Sequence, residues 1–109
     1  MRPTYARALP RAWQKTARIF TALGDAHRQR IVLMFEDGER LSIGQIVAAT
    51  PLSRSAVAHH LRVLSEAGVL RCEKVGKEVW YWTEPTNVRA ALDAVRDYLE
   101  GQHPARKAG

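Results

Sequence analysis

A chain of 109 residues with 46% hydrophobic and 26% charged content has the length of one domain and an ordinary globular composition. No apolar run approaches the roughly 18 residues of a membrane span, and a lone cysteine, Cys72, excludes an internal disulfide or a Cys-x-x-Cys redox or zinc site. Lys and Arg number 17 against 11 acids, a net charge of +6 that points towards a polyanionic partner.

Residues 1–12 read as a basic N-terminal arm, and residues 1–18 as a whole hold five basic groups and no acid. That start lacks the apolar core and cleavage site of a secretory leader, so a cytoplasmic location is expected. Trp13, Ala17, Phe20 and Leu23 then recur at helical spacing. Gly24-Asp25 breaks that helix, and Asp25 is placed to cap the next. The second helix carries Ile31, Val32, Leu33, Met34 and Phe35, apolar all round, which predicts a central core position. Glu36-Asp37-Gly38-Glu39 is a turn signal.

Ser42 caps a short third helix through Ala48, and Thr50-Pro51-Leu52 interrupts it, since proline disfavours helix at the residue before it. Ser53 caps a fourth helix, 54–67, closed by Gly68. Two helices joined by about three residues, the second basic, describe a helix-turn-helix. Val69–Cys72 and Val79–Trp82 are β-branched or aromatic runs around Gly76, which reads as a hairpin with Cys72 a small buried strand residue. Thr86 or Asn87 caps a last helix whose Val88, Ala91, Leu92, Val95, Tyr98 and Leu99 form one stripe. Residues 13–100 thus form one domain, mainly α with a small β-hairpin wing (α+β), and 101–109 a flexible tail. The class is a winged helix-turn-helix of five helices.

In the fourth helix Val57, Leu61 and Leu64 share one face, set to pack on Ile46 and the helix around Leu33. The opposite arc exposes Arg54, Ser55, Ala58, His59 and Arg62. Such a helix fits the major groove with its N-terminal residues nearest the bases. Arg54 suits a bidentate pair with guanine, Ser55 a base or phosphate, Ala56 a thymine methyl, and His59 a guanine acceptor. Arg62, further along, suits phosphate. Lys74 and Lys77 flank the hairpin turn, where cations straddle phosphates or enter a minor groove, or merely guard an edge strand. Ser42 and Ser53 are caps first, at helix N-termini that also suit phosphate.

The segments Ala22–Ile31, Leu41–Ile46, Leu52–Leu64 and Ala67–Leu70, with the strand Lys77–Trp82, resemble the ArsR/SmtB family of bacterial repressors. The match spans about residues 17–83. It implies a homodimer, with the first and last helices at its interface, that binds a pseudo-palindromic operator in double-stranded DNA and blocks transcription until an inducer arrives. It also implies base-facing roles for Arg54, Ser55, Ala58 and His59, although Ala58 stands where the family usually has serine. His60 matches the family's common His-Leu pair, at the edge of the buried face. A dimer is also expected from the residues themselves. Trp13, Ala17 and Phe20, with Leu92, Val95, Tyr98 and Leu99, exceed what one small core hides, and a symmetric pair would bury them.

The family's best-known inducers are metals, but the metal ligands it uses are missing. No Cys, His or acid falls in Leu41–Thr50, Asp93 is followed two residues later by Val95, and only His103 remains in the tail. No metal site and no cofactor is therefore expected, and the inducer is left unidentified. A one-thiol redox response at Cys72 stays open, with Arg71 and Lys74 beside it. So does use of the fold as a protein-interaction module, but that would favour aromatic and methionine anchors on the exposed arc. Catalysis is not expected: the glycines stand singly, and Ser53 and Ser55 lack a nucleophile-elbow context.

Overall fold

The computed structural model describes residues 7–101. Arg2 of the basic arm, the 102–109 part of the tail and His103 lie outside the described residues. Helix α1, Arg11–Leu23, starts after Pro10, whose carbonyl accepts from Trp13 N at 2.9 Å. Its core side is Thr16, Ile19 and Ala22. Asp25 caps α2, Ala26–Leu33, accepting from the amides of His27 at 2.8 Å and Arg28 at 3.2 Å. Those bonds hold its carboxyl below the usual range.

The second helix corrects the expectation of an all-round buried element. It ends at Leu33, where tight bonds from Met34 N to Ile31 O and from Phe35 N to Val32 O turn the chain. Only Ile31 of it is buried; Val32, Met34 and Phe35 pack at the core's edge and Leu33 is 82% exposed. A helix on the outside of a small domain has one inward side, so five consecutive apolar residues cannot all face the core.

Leu41–Ser42 form a short strand, β1, that the sequence reading missed: two residues show no periodicity. Helix α3, Ile43–Ala49, follows directly, and Ser42 and Gln45 close a reciprocal capping box. Helix α4, Arg54–Ala67, is capped by Ser53 Oγ accepting from Ala56 N. It ends at Gly68 with φ 84°, where Gly68 N and Val69 N bond back to Ser65 O and Leu64 O. A Cβ at Gly68 would be strained at this φ and would also lie 2.8 Å from Asn87 Nδ2, displacing that side chain.

Strands β2, Leu70–Val75, and β3, Glu78–Thr83, pair antiparallel around Gly76, and β1 adds to the far edge of β3. The hairpin is longer than the expected Val69–Cys72 and Val79–Trp82 runs. Cys72 is exposed rather than buried, because β2 lies at the sheet edge and only its first residue, Leu70, enters the core. Helix α5, Pro85–Gly101, starts two or three residues earlier than a cap at Thr86 or Asn87 would allow. Pro85 takes the first helical position, and Glu84 Oε1 accepts from Thr86 N. Asn87 instead donates to Gly68 O at 3.0 Å and ties α5 to the end of α4.

The core joins Ile19 and Ala22 of α1, Ile31 of α2, Ile46 of α3, Val57, Leu61 and Leu64 of α4, Val69, Leu70 and Ala91. Packing on Ile46 is as expected, with Ile31 taking the place assigned to Leu33. Among the described residues these elements are five helices, α1–α5, and a three-stranded antiparallel sheet. Among the described residues no helix is long and apolar enough to cross a membrane.

Candidate nucleic-acid interface

With Val57, Leu61 and Leu64 fixed inward, α4 turns its other side to solvent. Arg54, Ser55, His59 and Arg62 are exposed, and Ala56 and Ala58 are half-buried at the margins. Ser53 is exposed, but its hydroxyl is engaged by Ala56 N and lies 3.3 Å from Ser55 Oγ. The polar arc is therefore concentrated in the first half of the helix, where amide groups also point outward. Ser42 stands apart from these. It is buried, its hydroxyl accepts from Gln45 N, and its own N–H donates to Gln45 Oε1. Its burial and its capping bonds make Ser42 a folding residue first.

Lys74 and Lys77 are exposed, but only Lys74 flanks the turn, on β2 opposite Val79; Lys77 stands in the two-residue turn itself beside Gly76. The base of this wing is clamped by a residue the sequence reading passed over. Arg40 Nη1 reaches Glu73 Oε2 at 3.1 Å, and its guanidinium lies 4.0 Å over the Trp82 ring. The two contacts lie on different strands, so one side chain braces both. Sequence spacing carries no sign of this contact, which joins residues 33 apart.

A second arginine sets α4 against its neighbours. Arg28 Nε donates to Ala22 O at 2.6 Å and Nη2 to Thr21 O at 3.3 Å, both at the end of α1. Its Nη1 lies 3.3 Å from His60 Nδ1 on α4. A guanidinium only donates, so Nδ1 must be unprotonated and the His60 ring neutral. Burial pushes His60 below its ordinary 6.5; Asp25 works against this, while Arg28, His59 and His27 reinforce it. The rings of His27 and His59 lie 5.9 and 5.7 Å away.

A folded-state value below the unfolded one means that the unfolded chain binds the extra proton first. The stability contribution is whole above about pH 6.5 and is lost as pH falls through the folded value. Urea denaturation midpoints are expected to fall from pH 7.5 towards pH 5. In His60→Gln, whose amide oxygen still accepts from Arg28, that part of the slope should vanish. An unchanged slope in the variant would show that His60 does not carry it.

The other expected faces divide. Trp13 and Tyr98, both assigned to an interface, meet each other within one chain, edge to face with ring centroids 5.9 Å apart. Ala17 is half-buried. Phe20 is 40%, Leu92 49% and Leu99 61% exposed, and Val95 is half-buried between them. Among the described residues no three metal-binding side chains converge, and Asp93 faces Arg96 at 3.6 Å.

Residues 25–71 match the family described as bacterial regulatory protein, arsR family. The chain is 34% identical to a transcriptional regulator of Mycobacterium tuberculosis, over 77% of this chain and 71% of that protein. It is 32% identical to a Synechocystis homologue of the transcriptional repressor SmtB, over 80% of this chain, and spans about 65% of that protein's length. An ArsR-like transcriptional regulator from Rhodococcus superposes with a TM-score of 0.75 at 25% identity, covering 89% of this chain and 90% of that one. The homodimeric winged helix-turn-helix DNA-binding domain of a Mycobacterium bovis protein shares the fold, with a TM-score of 0.64 at 18% identity over 84% and 83% of the two chains. The matched stretch runs from the Asp25 cap through the exposed arc of α4 into the wing, and the chain belongs to the ArsR family of bacterial regulatory proteins.

Proposed function

We propose that this protein is a homodimeric, sequence-specific DNA-binding repressor that reads a pseudo-palindromic operator. The carrying observation is the exposed arc of Arg54, Ser55, His59 and Arg62 over a fully buried Val57–Leu61–Leu64 face. A helix so divided lies in a major groove with its capped end at the bases. Arg54 reads guanine, Ser55 and His59 contact neighbouring base edges or phosphate, Ala56 and Ala58 offer methyl contacts, and Ser53 orients the helix start. Arg62 and the wing lysines Lys74 and Lys77 hold phosphates, which orient the protein without reading sequence. The homodimer forms through Phe20, Leu92, Val95 and Leu99, with the Trp13–Tyr98 pair as its floor, and spaces two α4 helices about 34–36 Å apart. The exposed arc of α4 carries no aromatic or methionine anchor, which disfavours a protein-interaction module.

The test is a mobility-shift titration on DNA selected from a random pool. Arg54→Ala is expected to lose about 1–3 kcal/mol on the selected site and to relax preference at one base pair. Lys77→Ala should weaken selected and random DNA alike and lower the salt slope by about one. Equal losses on both DNAs for both variants would overturn the division of roles, and no selected sequence at all would overturn the function.

A further inference from the structure

One side of α1, away from the open apolar residues of the proposed dimer, carries a row of exposed cations. At about 100° per residue, Arg11, Lys15 and Arg18 fall within one arc of the helix, well away from Phe20 on the open apolar side, and Ala22 in the same arc enters the core at the end of the helix. The arc faces the last turns of α4 across a groove. One part, about 410 Å³, is lined by Ala17, Arg18, Ala22, Val63 and Glu66. A second, about 320 Å³, runs on past Arg18 to Arg11 and Lys15. Arg18, Glu66 and Ala67 line both parts, so the groove is continuous. Each part falls in the range of roughly 300–1,000 Å³ usual for small-molecule sites.

Three cations stand here against one carboxylate, and among the described residues none of the four belongs to an ion pair. Ala17, Ala22, Val63 and Ala67 give an apolar floor beneath that charged rim. We propose that this groove binds a small amphipathic anion, with its apolar body on the alanines and Val63 and its carboxylate or phosphate on Arg18 and Lys15. DNA held at the start of α4 is remote from it: Arg54 and Ala67 are the two ends of a 14-residue helix, about 20 Å apart at 1.5 Å per residue. A ligand bridging α1 and α4 touches the helix that carries Phe20 and the helix that reads DNA, which makes it a candidate inducer. That consequence rests on the function proposed above, whereas the binding does not.

The experiment is calorimetric titration of the full chain, without DNA, using decanoate and decyl phosphate below their micellar concentrations. Decanol and inorganic phosphate serve as single-feature controls. Saturable binding of one or both amphiphiles at one per chain is expected, with decanol and phosphate at least about tenfold weaker. Arg18→Glu and the milder Arg18→Gln should each weaken that binding by about tenfold or more, and Arg89→Ala, on the exposed side of α5, should leave it unchanged. Decanol binding as well as decanoate, or indifference to both Arg18 variants, would overturn the site. Decanoate binding left unchanged by Arg18→Glu, together with a lowered DNA salt slope in that variant, would assign this arc to the DNA backbone instead. Amphiphile binding that leaves DNA affinity unchanged would support the site and remove only its role as an inducer site.

Discussion

Leu61→Ala is expected to destabilise the folded protein by about 2–5 kcal/mol, measured by urea denaturation at fixed protein concentration. Leu61 is fully buried in the middle of α4, in the one cluster that α1, α2, α3, α4 and α5 all enter. Removing three carbons there forfeits their transfer energy and leaves a cavity that helices pinned on several sides collapse into poorly. A domain of this size has about 5–15 kcal/mol in total, so the loss is a large fraction of its stability. Leu33→Ala removes the same atoms from a side chain that is 82% exposed and should stay within about 0.5 kcal/mol. A pair of similar losses would mean that Leu33 is covered in solution, for which a partner surface over α2 would have to answer. Leu61→Ala should also weaken DNA binding only in proportion to the fraction unfolded, since Leu61 points away from the exposed arc.

The comparison of Leu61 and Leu33 also marks how far the sequence could be read. The inward side of α4 was legible because Val57, Leu61 and Leu64 keep a helical period over two turns between a serine cap and a glycine stop. The same rules placed the hairpin at Gly76 and the break at Pro51. They failed at Leu33, where a run of apolar residues has no period to fix a side and the chain leaves the helix early. They failed again at Cys72, since alternation in a strand does not reveal whether a sheet edge is covered. Of the candidate site, Arg54, Ser55, His59, Arg62, Lys74 and Lys77 lie exposed as the sequence reading requires. Ser42 does not, because a serine that caps a helix and pairs in a strand is buried by those two duties. Arg28 and Arg40 escaped notice for another reason. Each acts between residues more than thirty apart in sequence, a relation that only the folded chain creates.

Charging the open stripe of α5 should abolish high-affinity operator binding while leaving the monomer folded. Leu92 and Leu99 are a helical repeat of seven apart, with Val95 between them, and both stand about half exposed or more in the single chain. An apolar seam of this spacing on a surface helix is suited to a second helix. Leu92→Asp with Leu99→Asp would bury four carboxylates in a symmetric interface, at a cost that such a contact does not survive. The expected readout is a monomer mass by sedimentation, with helical content and urea midpoint at low protein concentration close to those of the parent monomer. Affinity for a two-half-site operator should fall by about 10²–10⁴, the effective-concentration advantage lost when two reading helices are no longer linked. Affinity for an isolated half-site should barely change, because Arg54 and its neighbours are untouched. That asymmetry separates loss of the dimer from loss of the fold, which would weaken both DNAs together. A dimer that persists with both aspartates would move the interface off α5, and the apolar stripe would then need another partner to cover it.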